Sequence, residues 1–138
     1  MKKPIGLTKV TINRTKPNKK QEEQTVMNKI MKNIDMASPL SLPALVTYQE
    51  GQIVSRTLVQ NRSVSLTLFA FDTGEEISSH ESKGDAMVQV LDGTAKITIG
   101  GEVYQLKAGE TVVMPAGVPH ALEAVEPFKM LLTVVFPG

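Results

Sequence analysis

The sequence has no cysteine, no tryptophan and only two histidines in 138 residues. Without cysteine the chain forms neither disulfides nor thiolate metal sites, and it has no cysteine nucleophile. No apolar run approaches the roughly 20 residues needed to span a bilayer, and the first residues lack the apolar core of a signal peptide. We therefore expect a cytoplasmic protein without a membrane span, in which any imidazole chemistry uses His80 and His120.

The net charge of +1 conceals two oppositely charged parts. Residues 1–35 carry nine basic and three acidic side chains, whereas residues 36–138 carry six basic and eleven acidic ones. A basic arm can bind nucleic acid or an anionic membrane surface, in which case the protein would be an assembly or regulatory module. We favour instead an arm that docks on an acidic body, its own or that of a second subunit, so nucleic acid is not the expected partner.

A domain boundary is predicted near residue 36. Before it, apolar side chains recur at helical spacing up to about Asp35 and predict one amphipathic helix within a basic arm of residues 1–36. These side chains are Val26, Met27, Ile30, Met31 and Ile34. Two prolines between residues 37 and 43 then favour an extended connection into a second domain, residues 37–138.

From residue 44 onward the apolar periodicity changes to two, which is typical of strands. The predicted strands are Ile53–Val59, Ser63–Phe71, Ala86–Leu91, Ala95–Ile99, Val103–Leu106, Thr111–Met114 and Phe128–Phe136. Gly100 and Gly101 predict a tight hairpin, because two glycines accept the positive φ angles of a primed turn. Many short strands without an intervening helix predict an antiparallel sandwich or barrel.

Two stretches of this β region resemble the paired motifs of the cupin superfamily. The first pattern, G-x5-H-x-H-x(3,4)-E-x6-G, is matched by Gly74, His80 and Gly93, but Ser82 stands at the second His and Ala86 at the Glu. The second pattern is G-x5-P-x-G-x2-H-x3-N. Its matching residues, before an Ala124 that replaces the final Asn, are Gly109, Pro115, Gly117 and His120.

The resemblance implies a cupin-type double-stranded β-helix, a jelly-roll barrel, over roughly residues 44–136. In metal-dependent cupins the first motif supplies two His and the Glu, and the second supplies one His. By that mapping this chain keeps only His80 and His120. Catalytic Zn or non-haem Fe sites usually have at least three protein ligands, so a divalent Fe, Mn, Ni or Zn ion held by two His alone is expected to be weakly bound.

Side-chain parity and the resemblance together define a candidate pocket. His120 and Leu122 share one strand face, as do Ala86 and Val88, and the resemblance turns both faces into the barrel. The predicted pocket residues are His80, Ser82, Ala86, Val88, His120 and Leu122. Two neutral imidazoles would offer a ligand one hydrogen-bond donor and one acceptor, or act as an acid/base pair.

Two functions follow from this pocket. The first is binding of a small organic molecule by His80, His120 and an apolar wall, and the alternative is a metal-dependent cupin oxygenase, isomerase or decarboxylase. We also expect a homodimer, because a barrel of this size leaves edge strands to which a partner's segment Ile5–Ile12 can add.

Overall fold

Antiparallel strands dominate residues 30–138, the part of the chain that this computed structural model describes. The residues from Leu42 to the end of the chain form a unit of their own, which begins with a short 3-10 turn, Leu42–Leu45. Its strands are β1 (Ile53–Gln60), β2 (Val64–Phe71), β3 (Glu76–His80), β4 (Asp85–Ile99), β5 (Glu102–Lys107), β6 (Thr111–Met114), β7 (His120–Glu123) and β8 (Phe128–Val135).

The strands form one curled sheet in the order β1-β2-β8-β4-β7-β3, with β5 and β6 also paired to β4. The first part of β4 pairs with β8 and β6, and its last part pairs with β5 and β7. Strand β4 therefore belongs to both halves of the sheet, which curl toward each other. The expected all-β, jelly-roll architecture is confirmed.

A bulge in β4 makes this double role possible. The register with β8 shifts between Val90 and Asp92, and Gly93 follows with φ of 73°. Before the shift the buried side chains have even numbers, as at Ala86 and Val88, and after it they have odd numbers, as at Ile97. An extra residue reverses the alternation of a strand, so β4 keeps one face in the core while it turns from one half to the other.

The core fills the space between the two halves of the sheet. Phe71 and Phe128 stack at its centre with ring centroids 4.4 Å apart. Two buried side chains, Met130 of β8 and Val90 of β4, belong to residues that are directly opposed in the ladder between these strands. Such burial supplies most of the stability of a domain of this size.

The 3-10 turn and the segment between it and β1 are fastened to the sheet by polar contacts. The Tyr48 hydroxyl donates to the Asp92 carboxylate at 2.5 Å, and burial together with that carboxylate raises the pKa of Tyr48 well above its ordinary value. The Lys129 ammonium donates to the Pro43 carbonyl at 2.7 Å and lies 5.0 Å from the centroid of the Tyr48 ring. A cation over an aromatic face adds to the hydrogen bonds in holding this segment.

Several predicted elements differ from the observed ones. Residues 30–35 are not helical: Asn33 has φ of 61°, and Ala37 has φ of 56°, conformations that a right-handed helix excludes. The rest of the predicted helix, and the segment Ile5–Ile12, lie outside the described residues. Among residues 30–138 no helix is long and apolar enough to cross a membrane.

Two strand predictions were incomplete. The predicted strands Ala86–Leu91 and Ala95–Ile99 are one continuous strand, because the Asp-Gly pair between them forms a bend within β4 rather than a turn. Strand β3 was not predicted. Its sequence, Glu-Ile-Ser-Ser-His, has a single apolar side chain and therefore lacks the alternation that marks a half-buried strand.

Gly93 gives a direct test of the bend in β4. A Cβ at this position would collide with the Pro127 carbonyl oxygen and would lie 3.1 Å from the Cβ of Phe128. We expect Gly93→Ala to lower the free energy of unfolding by about 1 to 2 kcal/mol from the positive φ and by about 1 to 3 kcal/mol more from overpacking. Urea unfolding followed by circular dichroism measures the loss.

Gly51→Ala is the matched control for this substitution. Gly51 has nearly the same φ, 70°, but open space around the added Cβ. It should therefore lose only the backbone contribution, about 1 to 2 kcal/mol. Equal losses in the two variants would show that close packing against β8 does not determine the bend.

Candidate functional site

The two histidines of the chain lie side by side. His80 ends β3 and His120 begins β7, and the two residues are directly opposed in the antiparallel ladder. Their ring centroids are 4.3 Å apart, with the ring planes at 68° to each other. His120 is buried, with 3% of its surface exposed, whereas His80 is exposed. The pair therefore extends from the interior of the barrel to its surface.

A bulge in β3 brings the imidazoles onto the same face. Ile77 is opposite Leu122, but the register then shifts, so that His80 is opposite His120. With a regular ladder Ser79 would occupy that place, and His80 would point to the other face. The extra residue thus redirects one side chain, a role that bulges commonly have near functional sites.

The turn before β7 fixes the position of His120. Gly117, with φ of 76°, donates its backbone N–H to the Ser82 carbonyl at 3.0 Å. The N–H of Ala116 donates to the carboxylate of Asp85 at 2.8 Å. The Asp85 carboxylate is therefore used in holding this turn. Together these bonds connect the turn before β7 to Ser82, in the loop after β3, and to Asp85, the first residue of β4. The turn that precedes His120 is thus held by the segment that follows His80.

Each imidazole is oriented by a carbonyl group two residues earlier in the chain. His80 Nδ1 donates to the Ser78 carbonyl oxygen at 2.9 Å, and His120 Nδ1 donates to the Val118 carbonyl oxygen at 3.2 Å. A carbonyl oxygen only accepts, so the hydrogen lies on Nδ1 in both rings. In the neutral rings both Nε2 atoms then carry a lone pair. This differs from the expected arrangement of one donor and one acceptor.

Burial sets the electrostatics of His120. Loss of solvent lowers its pKa below the ordinary value of 6.5, and the neighbouring His80 lowers it further, while the Val118 carbonyl opposes the change. A lowered pKa favours the neutral form of the ring at neutral pH. The inner member of the pair is thus an uncharged imidazole.

The remaining predicted pocket residues contribute differently. Ser82 is half-buried, and its hydroxyl accepts from the Gly84 N–H at 3.1 Å, which shapes the loop after β3. Ala86, Val88 and Leu122 are buried in the hydrophobic core. Of these, Leu122 follows His120 on the same face of β7. Their role in a pocket stays a prediction.

Two half-buried apolar residues that were not predicted for the pocket lie on the strands around the histidines. Ile99 of β4 is opposite His120 on the other side of β7, and Ile77 of β3 is opposite Leu122. Both are half-buried and pack against the core. The alternation of Ala95, Ile97 and Ile99 in the sequence was a signal for the first, whereas Ile77 lies in the strand that was not predicted.

Comparison with known proteins identifies the family. The family model described as a cupin domain matches residues 67–136, about half of the chain. A conserved protein of unknown function from Streptococcus pyogenes is 50% identical and superposes with a TM-score of 0.78 over 80% of this chain and 96% of that one. The chain belongs to the cupin family.

Two further relatives are a cupin superfamily protein and an enzyme. A cupin superfamily protein from Desulfitobacterium hafniense is 32% identical, with a TM-score of 0.75 over 79% of this chain and all of that one. A 5-nitrosalicylic acid 1,2-dioxygenase from a Bradyrhizobium species is 32% identical over 62 residues, which are 45% of this chain and 30% of the dioxygenase. The similarity to an enzyme therefore covers less than a third of that enzyme.

The metal shell expected of a metal-dependent cupin is incomplete in the described part of the chain. Residues 30–138 contain no group of three or more His, Cys, Asp or Glu side chains placed to hold a metal ion. Ala86 has no donor atom, and the Asp85 carboxylate accepts from Ala116. Two imidazoles alone do not make the three-ligand set of catalytic Zn or Fe sites. The described residues thus do not fit a resident catalytic metal.

The lowered pKa of His120 predicts an acid-sensitive fold. The unfolded chain holds this proton more tightly than the folded chain, so the contribution of the neutral ring to stability is complete above pH 6.5 and decreases as the pH falls below 6.5. Urea unfolding between pH 4.5 and pH 8 measures this loss. A pH titration of the ring signals by nuclear magnetic resonance (NMR) should place the His120 midpoint below that of a free histidine.

His120→Phe is the variant that isolates this effect, because it keeps an aromatic ring and removes the titrating group. Its stability should depend less on pH between 5 and 7 than that of the parent protein. An unchanged dependence, or a His120 midpoint above 6.5, would contradict the prediction.

Proposed function

We propose that this cupin binds a small organic molecule at the His80–His120 pair. The observation that carries the proposal is the geometry of the pair: two imidazoles 4.3 Å apart, each held by a backbone carbonyl through Nδ1, with both Nε2 atoms left to accept. Preoriented polar groups beside an apolar surface are typical of small-molecule sites. His80 provides the exposed end of the site and His120 the buried end.

The surroundings of the pair support an apolar ligand body. Ile99 is half-buried opposite His120, and Ile77 is half-buried opposite Leu122, which lies on the same strand as His120. A ligand with one polar group and an apolar remainder suits these surroundings. Its polar group would bind the imidazoles, and only its apolar part would contact the apolar side chains, so no polar atom would be buried without a partner. We propose that Ala86, Val88 and Ser82 contribute through the shape of the wall and of the loop.

A metal-dependent enzyme is the second candidate. The observation that favours it is the similarity to the Bradyrhizobium dioxygenase, together with two adjacent imidazoles whose Nε2 atoms are left to accept. Imidazoles that donate through Nδ1 to a carbonyl are the usual form of histidine in metal sites. Fe, Mn, Ni or Zn would find two protein ligands, His80 and His120, among residues 30–138.

Ligand binding can be tested with the two histidines as reporters. Salicylate, phenol and benzamide, each at millimolar concentration, serve as probes, and their effect on the two imidazole Cε1–H NMR signals is measured. At least one probe should shift both signals. His80→Gln should weaken that probe about tenfold, the loss of one hydrogen bond.

Glu76→Gln is the matched control, because Glu76 lies on β3 like His80 but is exposed on the outer face. It should bind the probe as the parent protein does. Binding that leaves both imidazole signals unmoved, or that survives His80→Gln and His120→Gln, would contradict the proposed site.

Metal content separates the two candidates. Protein produced without an affinity tag or chelator should contain far less than one Fe, Mn, Ni or Zn per chain by elemental analysis, and ethylenediaminetetraacetate (EDTA) should leave probe binding unchanged. Close to one metal per chain that disappears in the double variant His80→Gln, His120→Gln would instead support the enzyme.

A further inference from the structure

The imidazole pair offers hydrogen-bond acceptors to a ligand, but no hydrogen-bond donor. A neutral imidazole has one N–H and one lone pair. His80 uses its N–H on the Ser78 carbonyl and His120 uses its N–H on the Val118 carbonyl. What each ring has left for a ligand is the lone pair of Nε2. Two such rings therefore form a site with two hydrogen-bond acceptors and no imidazole donor.

The backbone holds the rings in this state. Ser78 lies in the bulged part of β3, and Val118 lies in the turn whose Gly117 is tied to Ser82 at 3.0 Å. Moving the proton of either ring to Nε2 would place the Nδ1 lone pair against a carbonyl oxygen. Two acceptors facing each other lose a hydrogen bond and repel, so the tautomer is fixed by the fold rather than by the ligand.

We infer that the pair selects a ligand whose polar group donates hydrogen bonds, such as vicinal hydroxyls, an amide NH₂ or an ammonium, and discriminates against a carboxylate. The inference rests on the proposed function and names its ligand class. A carboxylate has only acceptor atoms, and against two lone pairs it remains unsatisfied in a partly buried site. A group with two donors satisfies both imidazoles at once.

The spacing of the rings favours one group that bridges them. The ring centroids are 4.3 Å apart, so a small molecule that carries two donors can lie against both rings at once. The half-buried Ile99 lies beside His120 and suits an apolar body attached to that group. Catechol, which combines two adjacent hydroxyls with an aromatic ring, is the simplest probe of this class.

The first test measures the tautomers without any ligand. Long-range ¹H–¹⁵N correlation spectra at pH 8, above the ordinary imidazole pKa of about 6.5, report which nitrogen of each ring carries the hydrogen. We expect Nε2 to be unprotonated in both His80 and His120. A hydrogen on Nε2 of either ring would overturn the inference, because the pair would then hold a donor.

The second test compares three probes of similar size at pH 8 under nitrogen and in EDTA: catechol with two donors, 1,2-dimethoxybenzene with none, and benzoate as the carboxylate. Catechol should bind at least tenfold more tightly than either of the others and shift both Nε2 resonances. His80→Phe keeps a ring and removes one acceptor, so it should weaken catechol at least tenfold. Glu76→Gln, on the outer face of the same strand, should not.

The outcomes distinguish this inference from the proposed function. Benzoate that binds as tightly as catechol and shifts both imidazoles would overturn the donor requirement and leave the proposed site in place. Catechol binding that is seen only when the measurement is repeated without EDTA would also overturn it, in favour of a metal between the imidazoles. If none of the probes moves either imidazole signal at 10 mM, both the inference and the proposed site fail. His80 is exposed, so His80→Phe tests the pair without disturbing the core.

Discussion

The structure depends on a strand that serves two halves of a sheet. Strand β4 pairs with β8 and β6 near its start and with β5 and β7 near its end, and it can bury side chains in both regions only because its alternation reverses at Val90–Asp92. Without the reversal, Ile97 would face away from the core that holds Val88. The bend at Gly93 and the placement of β7 beside the end of β4 follow from it.

A second bulge, in β3, creates the candidate site. A bulge in β3 puts His80 opposite His120, and the turn held by Ser82 and Asp85 sets the start of β7. Asp85 is one residue before Ala86, the place where metal-dependent cupins have a glutamate. Its carboxylate faces the other way, as strand parity requires. One acidic group thus supports the site through the backbone and supplies no ligand to it.

The sequence predicts those features of the structure that depend on neighbouring residues in the chain. Alternating apolar residues and the turn motifs around Gly109 and Gly117 predict the strands and the barrel, because period and turn chemistry are local properties. Bulges are not readable in this way. The Asp92-Gly93 pair looks like a turn and is a bend in β4, and the polar Glu76–His80 shows no strand pattern. The histidines were found as motif positions, but their tautomers depend on carbonyl groups that only the folded backbone places.

With the hydrogen on Nδ1, the two rings could accept from an organic ligand or bind a metal ion, so these are alternative ligands for one site. An imidazole that donates through Nδ1 presents the Nε2 lone pair that a metal ion would take, so the ring orientation suits either occupant. A cation at the site needs further ligands, and Ser82 and Ala86 stand where the family pattern has a histidine and a glutamate. Each Nε2 lone pair can accept a hydrogen bond instead. A donor hydrogen on an organic molecule satisfies such a lone pair without further protein ligands, and for this reason we propose an organic ligand rather than a metal ion at the pair.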